Sequence, residues 1–452
     1  MSDIIAAVAT GWQASAIGII RMSGNGCIEI AEHVFTPKFG TLYQAKDRNL
    51  ILGHLHDRNG RVIDEVLLTI SHGPNSYTGE DTAEFQCHGS PAVLTAGLDS
   101  LFAAGARQAG PGEFTKRAFL NGRMDLTQAE AVIDLIDAET TEAASNAVGQ
   151  LGGAIFKRIA PIYDQLTDMM AHFHAVLDYP DEDIDPFELQ NFHGQLEDAS
   201  NQLFQLLSTY GRGRVLKRGI HAVILGKPNA GKSSFLNALA GFDRVIVTDI
   251  AGTTRDSVEE SVRVGHHLLR LVDTAGIRET EDQIERMGVE RAEAAAAKAD
   301  LAIYVCDSSM DLTEEDLRAQ RAALDAPRAI AILNKQDLDT VIVPSDLPFD
   351  WIVPFCAKTA EGVDQLEDVL DCLFGDELPC DGSILTNARH AEAISRAGKS
   401  IDCAIQSMKQ DMTPDAVLVD VEAAMEALGE ITGQTMREEI TNRIFERFCV
   451  GK

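Results

Sequence analysis

The apolar positions of this chain change their period several times, and each change marks a region. Residues 1–120 hold short apolar stretches, Ile17 to Ile20 and Val66 to Ile70, separated by turn signals such as His72-Gly73-Pro74-Asn75-Ser76. That texture predicts a mixed α/β domain, with a helix over Pro91 to Ala104. From Met124 the period lengthens. Val132, Leu135 and Ile136, then Ile155, Ile159, Ile162, Leu166, Met169, Phe173 and Leu177, recur at helical spacing. One long helical segment is expected, kinked at Pro161. It ends in an acidic loop over 178–188, read as a solvated hinge, and a further helix reaches to about Tyr210. From Ile220 short strands and helices alternate. Strands are expected at 220–225, 258–264, 268–272, 301–306, 328–333 and 351–354, and helices at 232–240, 284–299, 313–325 and 362–374. After Pro379 the chain reads as helical to its end.

This order predicts a multidomain α/β plus α protein. An N-terminal α/β domain spans 1–121. A helical domain is split into 122–215 and 378–452. A doubly wound α/β module, 216–377, is inserted between its two parts.

Composition narrows the class. The chain has 452 residues, 45% hydrophobic and 24% charged, which is globular material. Thirty-nine basic and 70 acidic residues give a net charge of −31. That excludes a general nucleic-acid coat but leaves room for a local basic patch. Gly211 to Gly219 carries Arg212, Arg214, Lys217 and Arg218; it reads as a linker with solvated charges or as an RNA-contacting patch. No apolar run reaches the ~20 residues of a membrane span, and no signal peptide is expected. Eight cysteines contain no C-x-x-C pair, which argues for a reducing, cytoplasmic setting. The twelve histidines show no ligand cluster and are assigned no metal.

The candidate chemistry lies in the alternating module. Gly226-Lys227-Pro228-Asn229-Ala230-Gly231-Lys232-Ser233 follows an apolar strand and opens a helix. Its glycines allow backbone amides to curl around phosphates. Lys232 reaches the β/γ-phosphates, Ser233 takes Mg2+, and Ser234 extends the helix start. Asp273-Thr-Ala-Gly276 follows the strand 268–272; its carboxylate suits Mg2+ through water and Gly276 suits the γ-phosphate. Asn334-Lys335-Gln-Asp337 follows the next strand but one. The Asp337 carboxylate can accept from the two donors of guanine, a pair that adenine lacks, so the nucleotide is GTP. Cys356-Ala357-Lys358 can close over the base. The loop 247–256 adds Thr248, Thr253 and Thr254, the last a second Mg2+ ligand, among carbonyls that can enclose a monovalent cation. Ile277 stands where small signalling GTPases carry a water-orienting glutamine, so another group has to act there.

The module resembles a GTPase G domain of the translation-factor-related class. With Gly73-Pro74-Asn75-Ser76-Tyr77-Thr78-Gly79-Glu80-Asp81, Pro111-Gly112-Glu113-Phe114, Arg117 to Gly122 and the terminal Cys449-Val450-Gly451-Lys452, the whole chain resembles the MnmE (TrmE) family of tRNA-modifying GTPases. That resemblance implies an N-terminal domain that dimerises and binds 5-formyltetrahydrofolate or a related one-carbon donor. The matching residues are Arg21, Glu84, Arg123 and Lys452. It implies potassium activation through Asn229, Thr248, Ile250 and Thr253, and a water-positioning acid at Glu285. It implies a homodimer, tRNA as substrate, and a heterocomplex with the FAD protein MnmG that adds a carboxymethylaminomethyl or aminomethyl group to the wobble uridine. It also raises a role for Cys449 in that chemistry, against the plainer reading of a small buried residue. Two departures stand out: Gly11 to Ala16 replaces a Pro/Gly/Arg-rich stretch, and Cys356 replaces the commoner serine. A ribosome-assembly switch and a folate-binding scaffold with an inactive G domain are the alternatives; the N-terminal motifs and the intact Lys232, Ser233, Thr254, Asp273 and Asp337 argue against them.

Overall fold

The structure is a computed structural model that describes residues 3–42, 46–178, 190–242, 259–272, 296–375, 380–435, 438–446 and 448–451. It divides into two compact units. One comprises 1–133, 150–200 and 396–452; the other comprises 134–149 and 201–395.

The first unit contains a seven-stranded sheet. Its strands are β1 (Ile5–Val8), β2 (Ser15–Ser23), β3 (Phe35–Pro37), β4 (Leu50–His56), β5 (Val62–Ser71), β6 (Thr82–Gly89) and β7 (Arg107–Gln108), in the order β3-β4-β5-β6-β2-β1-β7. Neighbours are antiparallel except β1 and β7, which are parallel. Alternation along β5 sends Val66, Leu68 and Ile70 into the core and leaves Glu65 outside. Helices α1 (Cys27–Val34) and α2 (Pro91–Ala103) cover that face through Ala31, Val34, Leu94, Leu98 and Leu101. Next along the chain come α3 (Glu113–Leu120), α4 (Leu126–Ile136), α5 (Thr141–Leu151), which falls chiefly in the second unit, and α6 (Ala154–Asp178). The expected single helical segment is therefore three helices, and Gly153, at φ 81, stands between the last two. Helix α6 continues through Pro161 and buries Ile155, Ile159, Ile162, Leu166 and Met169, packing on α13 (Pro414–Thr432). The 25-residue α6 repeats its apolar stripe because 3.6-residue geometry returns those positions to one face.

The second unit holds a six-stranded sheet of β8 (Ile220–Leu225), β9 (Glu259–Val264), β10 (His267–Val272), β11 (Leu301–Asp307), β12 (Ala329–Asn334) and β13 (Ile352–Pro354), in the order β13-β12-β11-β8-β10-β9. Five strands are parallel and β9 is an antiparallel edge. All seven residues of β11 are buried, as expected for a strand covered on both faces. Helices α9 (Lys232–Phe242), α10 (Glu314–Leu324) and α11 (Val363–Phe374) flank it. The expected helix 284–299 falls largely outside the described residues. Residues 210–218 form a helix, α8, and not a linker. Two of its four basic side chains are paired: Arg214 with Asp300 at 2.6 Å and Lys217 with Asp134 at 2.6 Å. The remaining helices are α7 (Gln190–Ser208), α12 (Ala388–Lys409) and α14 (Glu438–Phe445). No helix among the described residues is long and apolar enough to cross a membrane.

An ion network ties α3 to the N-terminal strand region. Arg117, 8% exposed, bonds Glu80 Oε2 at 2.9 Å, Asp3 Oδ1 at 2.9 Å and Glu113 Oε1 at 3.0 Å. Arg107 grips both Glu113 oxygens, and the Gly110 N–H donates to Oε2 at 2.8 Å. Burial alone would raise the Glu113 pKa, but bonds from Arg107, Gly110 and Arg117 bring it down to about 2. A carboxylate depressed in this way stabilises the fold fully above its unfolded pKa, and that contribution is lost as pH falls toward the folded value. Glu113→Gln should thus lower stability by about 2 kcal/mol near neutral pH. The gap to wild type should narrow by roughly 1 kcal/mol between about pH 7 and about pH 4 in denaturant titrations. A gap that stays constant or widens would show that Glu113 contributes through shape and not charge.

Candidate functional site

The parallel register brings the C-terminal ends of β8, β11, β12 and β13 to one edge of the second unit's sheet. The loop after β8 turns there into α9. Gly226 has φ 149, and a Cβ on it would stand 2.3 Å from the Val305 carbonyl oxygen. Gly231 has φ 96, and its Cβ would stand 2.1 Å from Asn334 Nδ2. Only glycine meets both demands, so the loop lies close on its neighbours with its amides unobstructed. Asn229 adopts φ 60, a left-handed conformation that asparagine tolerates, and is exposed. Ala230 is buried; Ser233 and Ser234 are exposed at the start of α9. Lys232 Nζ donates to the carbonyls of Gly226 at 2.7 Å and Lys227 at 2.9 Å.

The base end is organised around Asn334, which is buried. Its Nδ2 donates to the Ala230 carbonyl at 3.1 Å, and its Oδ1 accepts from the Ala357 N–H at 3.3 Å. One carboxamide therefore links the phosphate loop to the segment expected over the base. Lys335, at φ 65, pairs with the buried Asp307 at 2.5 Å. Burial alone would raise the Asp307 pKa; Lys335 and Ser309 offset that and hold it below the usual carboxylate range. Asp337 Oδ2 accepts from Lys358 Nζ at 2.5 Å. That bond holds the Asp337 pKa down, so its carboxylate is charged and ready to accept. Cys356 is buried, and its N–H donates to the Glu361 carbonyl at 3.0 Å.

One set of residues escaped the sequence reading. Lys227 in the phosphate loop pairs with Asp316 Oδ2 at 2.8 Å, and Asp316 is fully buried. Asp316 also accepts from the Thr313 hydroxyl at 2.7 Å and from Tyr304 OH at 3.2 Å. Burial alone would raise its pKa, and Lys227 and Thr313 together bring it below normal. The Thr-x-x-Asp spacing of 313–316 is a helix-capping signal that could have drawn attention to it. Of the expected site residues, Thr248, Ile250, Thr253, Thr254, Asp273, Gly276 and Glu285 lie outside the described residues.

The first unit holds the second group of candidates. Arg21 on β2 and Glu84 on β6 are cross-strand partners, with Nε to Oε1 at 2.6 Å. The Arg21 guanidinium lies 5.4 Å from the Tyr77 ring centroid and 5.7 Å from that of Phe114. Arg123 is exposed and runs beside Gly79, whose Cβ would be 3.2 Å from Arg123 Cγ. Arg21 and Arg123 therefore both border the loop 73–81. Cys449 is exposed, not buried; its carbonyl accepts from the Gly112 N–H at 3.3 Å, and Val450 bridges to Pro111. Lys452 lies outside the described residues.

A family model described as the MnmE helical domain matches residues 126–449, and one described as the GTP-binding protein TrmE N-terminus matches residues 4–123. The tRNA modification GTPase MnmE of Alkaliphilus metalliredigens (strain QYMF) is 42% identical over 466 residues, which covers 100% of this chain and 100% of that one. The protein of the same name from Roseiflexus sp. (strain RS-1) is 42% identical over 463 residues, covering 100% of this chain and 99% of its own. A solved structure of an Aquifex aeolicus Era variant bound to GDP.AlF4- is 24% identical, covers 40% of this chain and 66% of its own, and has a TM-score of 0.27.

Asp337 provides the direct test of base recognition. With Asp337 expected to accept from guanine, Asp337→Asn should weaken GTP binding on the order of tenfold or more, because an amide replaces the charged acceptor. Preference should move toward xanthosine triphosphate, whose base offers an acceptor where guanine offers a donor. Competition binding with fluorescent nucleotide measures both; unaltered GTP affinity would remove Asp337 from the site.

Proposed function

The chain belongs to the MnmE family of tRNA modification GTPases, and from that premise we propose that it hydrolyses GTP to drive modification of the wobble uridine of certain tRNAs. The observation that carries this reading is the Asn334 carboxamide, which joins the Ala230 carbonyl to the Ala357 N–H. A phosphate loop and a base-closing segment linked in this way suit one ligand with a phosphate chain at one end and a guanine at the other.

In this reading residues 216–377 are the G domain, and 122–215 with 378–452 are the helical domain that carries it. The amides of 226–231 surround the phosphates. Lys232 exchanges its two loop carbonyls for β/γ-phosphate oxygens, and Asp337 accepts from guanine while Ala357 and Lys358 close over it. Ser233, Thr254 and Asp273 would hold Mg2+, which would neutralise charge on the phosphates, and Gly276 would suit the γ-phosphate. Ile277 has no group to orient water, and Glu285 would take that task. Asn229, Thr248, Ile250 and Thr253 would hold K+, which would add positive charge where an arginine finger acts in other GTPases. The exposed Asn229 at the rim of the loop suits that role, since it can meet a cation without disturbing the buried Ala230.

Residues 1–121 bind 5-formyltetrahydrofolate or a related one-carbon donor and dimerise. Arg21, Arg123 and Lys452 suit glutamyl carboxylates, and Glu84 suits the donors of a pterin. The Arg21–Glu84 pair supports this, because a ligand carrying both functions can satisfy each member in turn. The protein works in the cytoplasm as a homodimer with the FAD protein MnmG, and the transferred group is carboxymethylaminomethyl or aminomethyl. Cys449, exposed beside Gly112, is available for that chemistry.

GTP turnover should be much faster in potassium than in sodium, because the smaller ion fits the carbonyl cage poorly. Asn229→Ala should lose most of that stimulation, together with dimerisation in GDP–aluminium fluoride. Equal wild-type turnover in the two salts would sink the potassium mechanism.

Deletion of Cys449 to Lys452 should abolish tRNA modification while GTP hydrolysis persists. Nucleoside mass spectrometry of tRNA from a complemented deletion strain reads the outcome. Wild-type modification levels would exclude the tail from the chemistry.

A further inference from the structure

The hairpin between β9 and β10 places two histidines side by side. Gly265, at φ 57, and His266 form the two-residue turn, and His267 opens β10. Because His266 is in the turn, strand alternation does not send it to the opposite face, and both Nε2 atoms converge on one carboxylate oxygen, Asp371 Oδ1 on α11. His267 Nε2 is 2.8 Å from it and His266 Nε2 is 3.3 Å. The two rings lie 4.2 Å apart at 35°. One ligand atom from each of the three residues falls within 4.8 Å of the others. Glu367, one turn before Asp371 on α11, brings a second carboxylate to the same corner. A Cβ on Gly265 would stand 1.9 Å from its Oε1.

This corner is remote from the nucleotide edge. Strand β10 runs parallel to β8, with Leu269 opposite Ile220, so His266 and His267 stand at the start of the strands. The phosphate loop leaves β8 at its other end, a strand length of roughly 20 Å away for six residues. A cavity of about 100 Å3 opens beside the two imidazoles, walled in part by Thr140, Arg212, Leu268, Phe374 and Cys380. It offers room for a water ligand.

We propose that His266, His267 and Asp371 form a binding site for a divalent first-row transition ion of the zinc class, which pins the β9–β10 hairpin to α11. Two imidazole nitrogens and a carboxylate are the donor set of such ions, whereas Mg2+ and Ca2+ favour all-oxygen shells. Two neutral rings with Asp371 and Glu367 also match the ion's double charge. His267 is 8% exposed, so packing holds its ring in place beside Asp371. His266 and Asp371 are each 44% exposed, which leaves the ion a path in.

Full-length protein, freed of affinity tag and metal, nucleotide-free and in excess Mg2+, is titrated with Co2+ alone. Wild type should take up one Co2+ per chain with visible d–d absorption, and Zn2+ should displace it. His266→Ala and Asp371→Ala should each weaken Co2+ binding by at least ~tenfold. Both residues are partly exposed, and circular dichroism checks that the variants are folded. His266→Cys should retain the ion and add a thiolate-to-cobalt band, which a purely structural role for His266 would not give. Ser233→Ala, in the phosphate loop, should leave Co2+ uptake unchanged. Absence of Co2+ uptake by wild type, wild-type affinity in both alanine variants, or loss of uptake in Ser233→Ala would each overturn the assignment.

Discussion

Everything at the nucleotide edge depends on the parallel pairing of β8, β11, β12 and β13. Parallel strands carry their C-terminal ends to the same side, so loops far apart in sequence emerge together. In this register Asp307 lies opposite Asn334, and Leu333 lies opposite Pro354. The contacts of Asn334, Lys335 and Cys356 follow from that alignment. A slip of one residue would exchange the two buried faces of β11, setting Ile303 and Val305 against the layer that now packs on Ala302, Tyr304 and Cys306, so the different packing of the two layers fixes the register.

The cationic side chains at this edge are satisfied from within the protein. Lys232 rests on two loop carbonyls, Lys335 on Asp307, Lys358 on Asp337 and Lys227 on Asp316. These bonds hold the donors near where a ligand needs them and limit the ordering left to be done on binding. They differ in depth. Asp316 and Asp307 are buried while Lys358 is largely exposed, so the Lys227 and Lys335 pairs are shielded from water and the Lys358–Asp337 pair is not.

The strands of the alternating module and its helices at 232–240, 313–325 and 362–374 were legible in the sequence to within a residue or two. Their apolar runs are short, bounded by turn residues and placed next to motifs of fixed spacing. The G-x-x-x-x-G-K-S and Asn-Lys-x-Asp signals could be read directly because each is local, and the register sets both at one edge of the sheet. Contacts between distant segments were not legible. Lys227 and Asp316 are 89 positions apart, and nothing in either neighbourhood announces the other. The same holds for His267 and Asp371, 104 positions apart, which is why the histidines showed no cluster when read along the chain. Residues 210–218 were misread because two glycines and four basic residues look like a linker. Tertiary pairing to Asp300 and Asp134 overrides that local weakness. For Cys449 the apolar helix before it suggested burial and the family resemblance suggested a role; the side chain is exposed, and backbone groups make the contacts of that tail with 111–112.

The Asn334 bridge makes the guanine and phosphate ends parts of one unit. Its carboxamide has a donor and an acceptor, and each is committed to a different segment. Asp337 faces no such double duty: its bond to Lys358 can be exchanged while the phosphate loop keeps its shape. Asn334 has no comparable freedom. An aspartate there would lose the donor that reaches Ala230, and a larger side chain would meet Gly231, whose missing Cβ makes room for Nδ2. In evolutionary terms the edge has one tunable position and one locked one, set three residues apart on the same strand end.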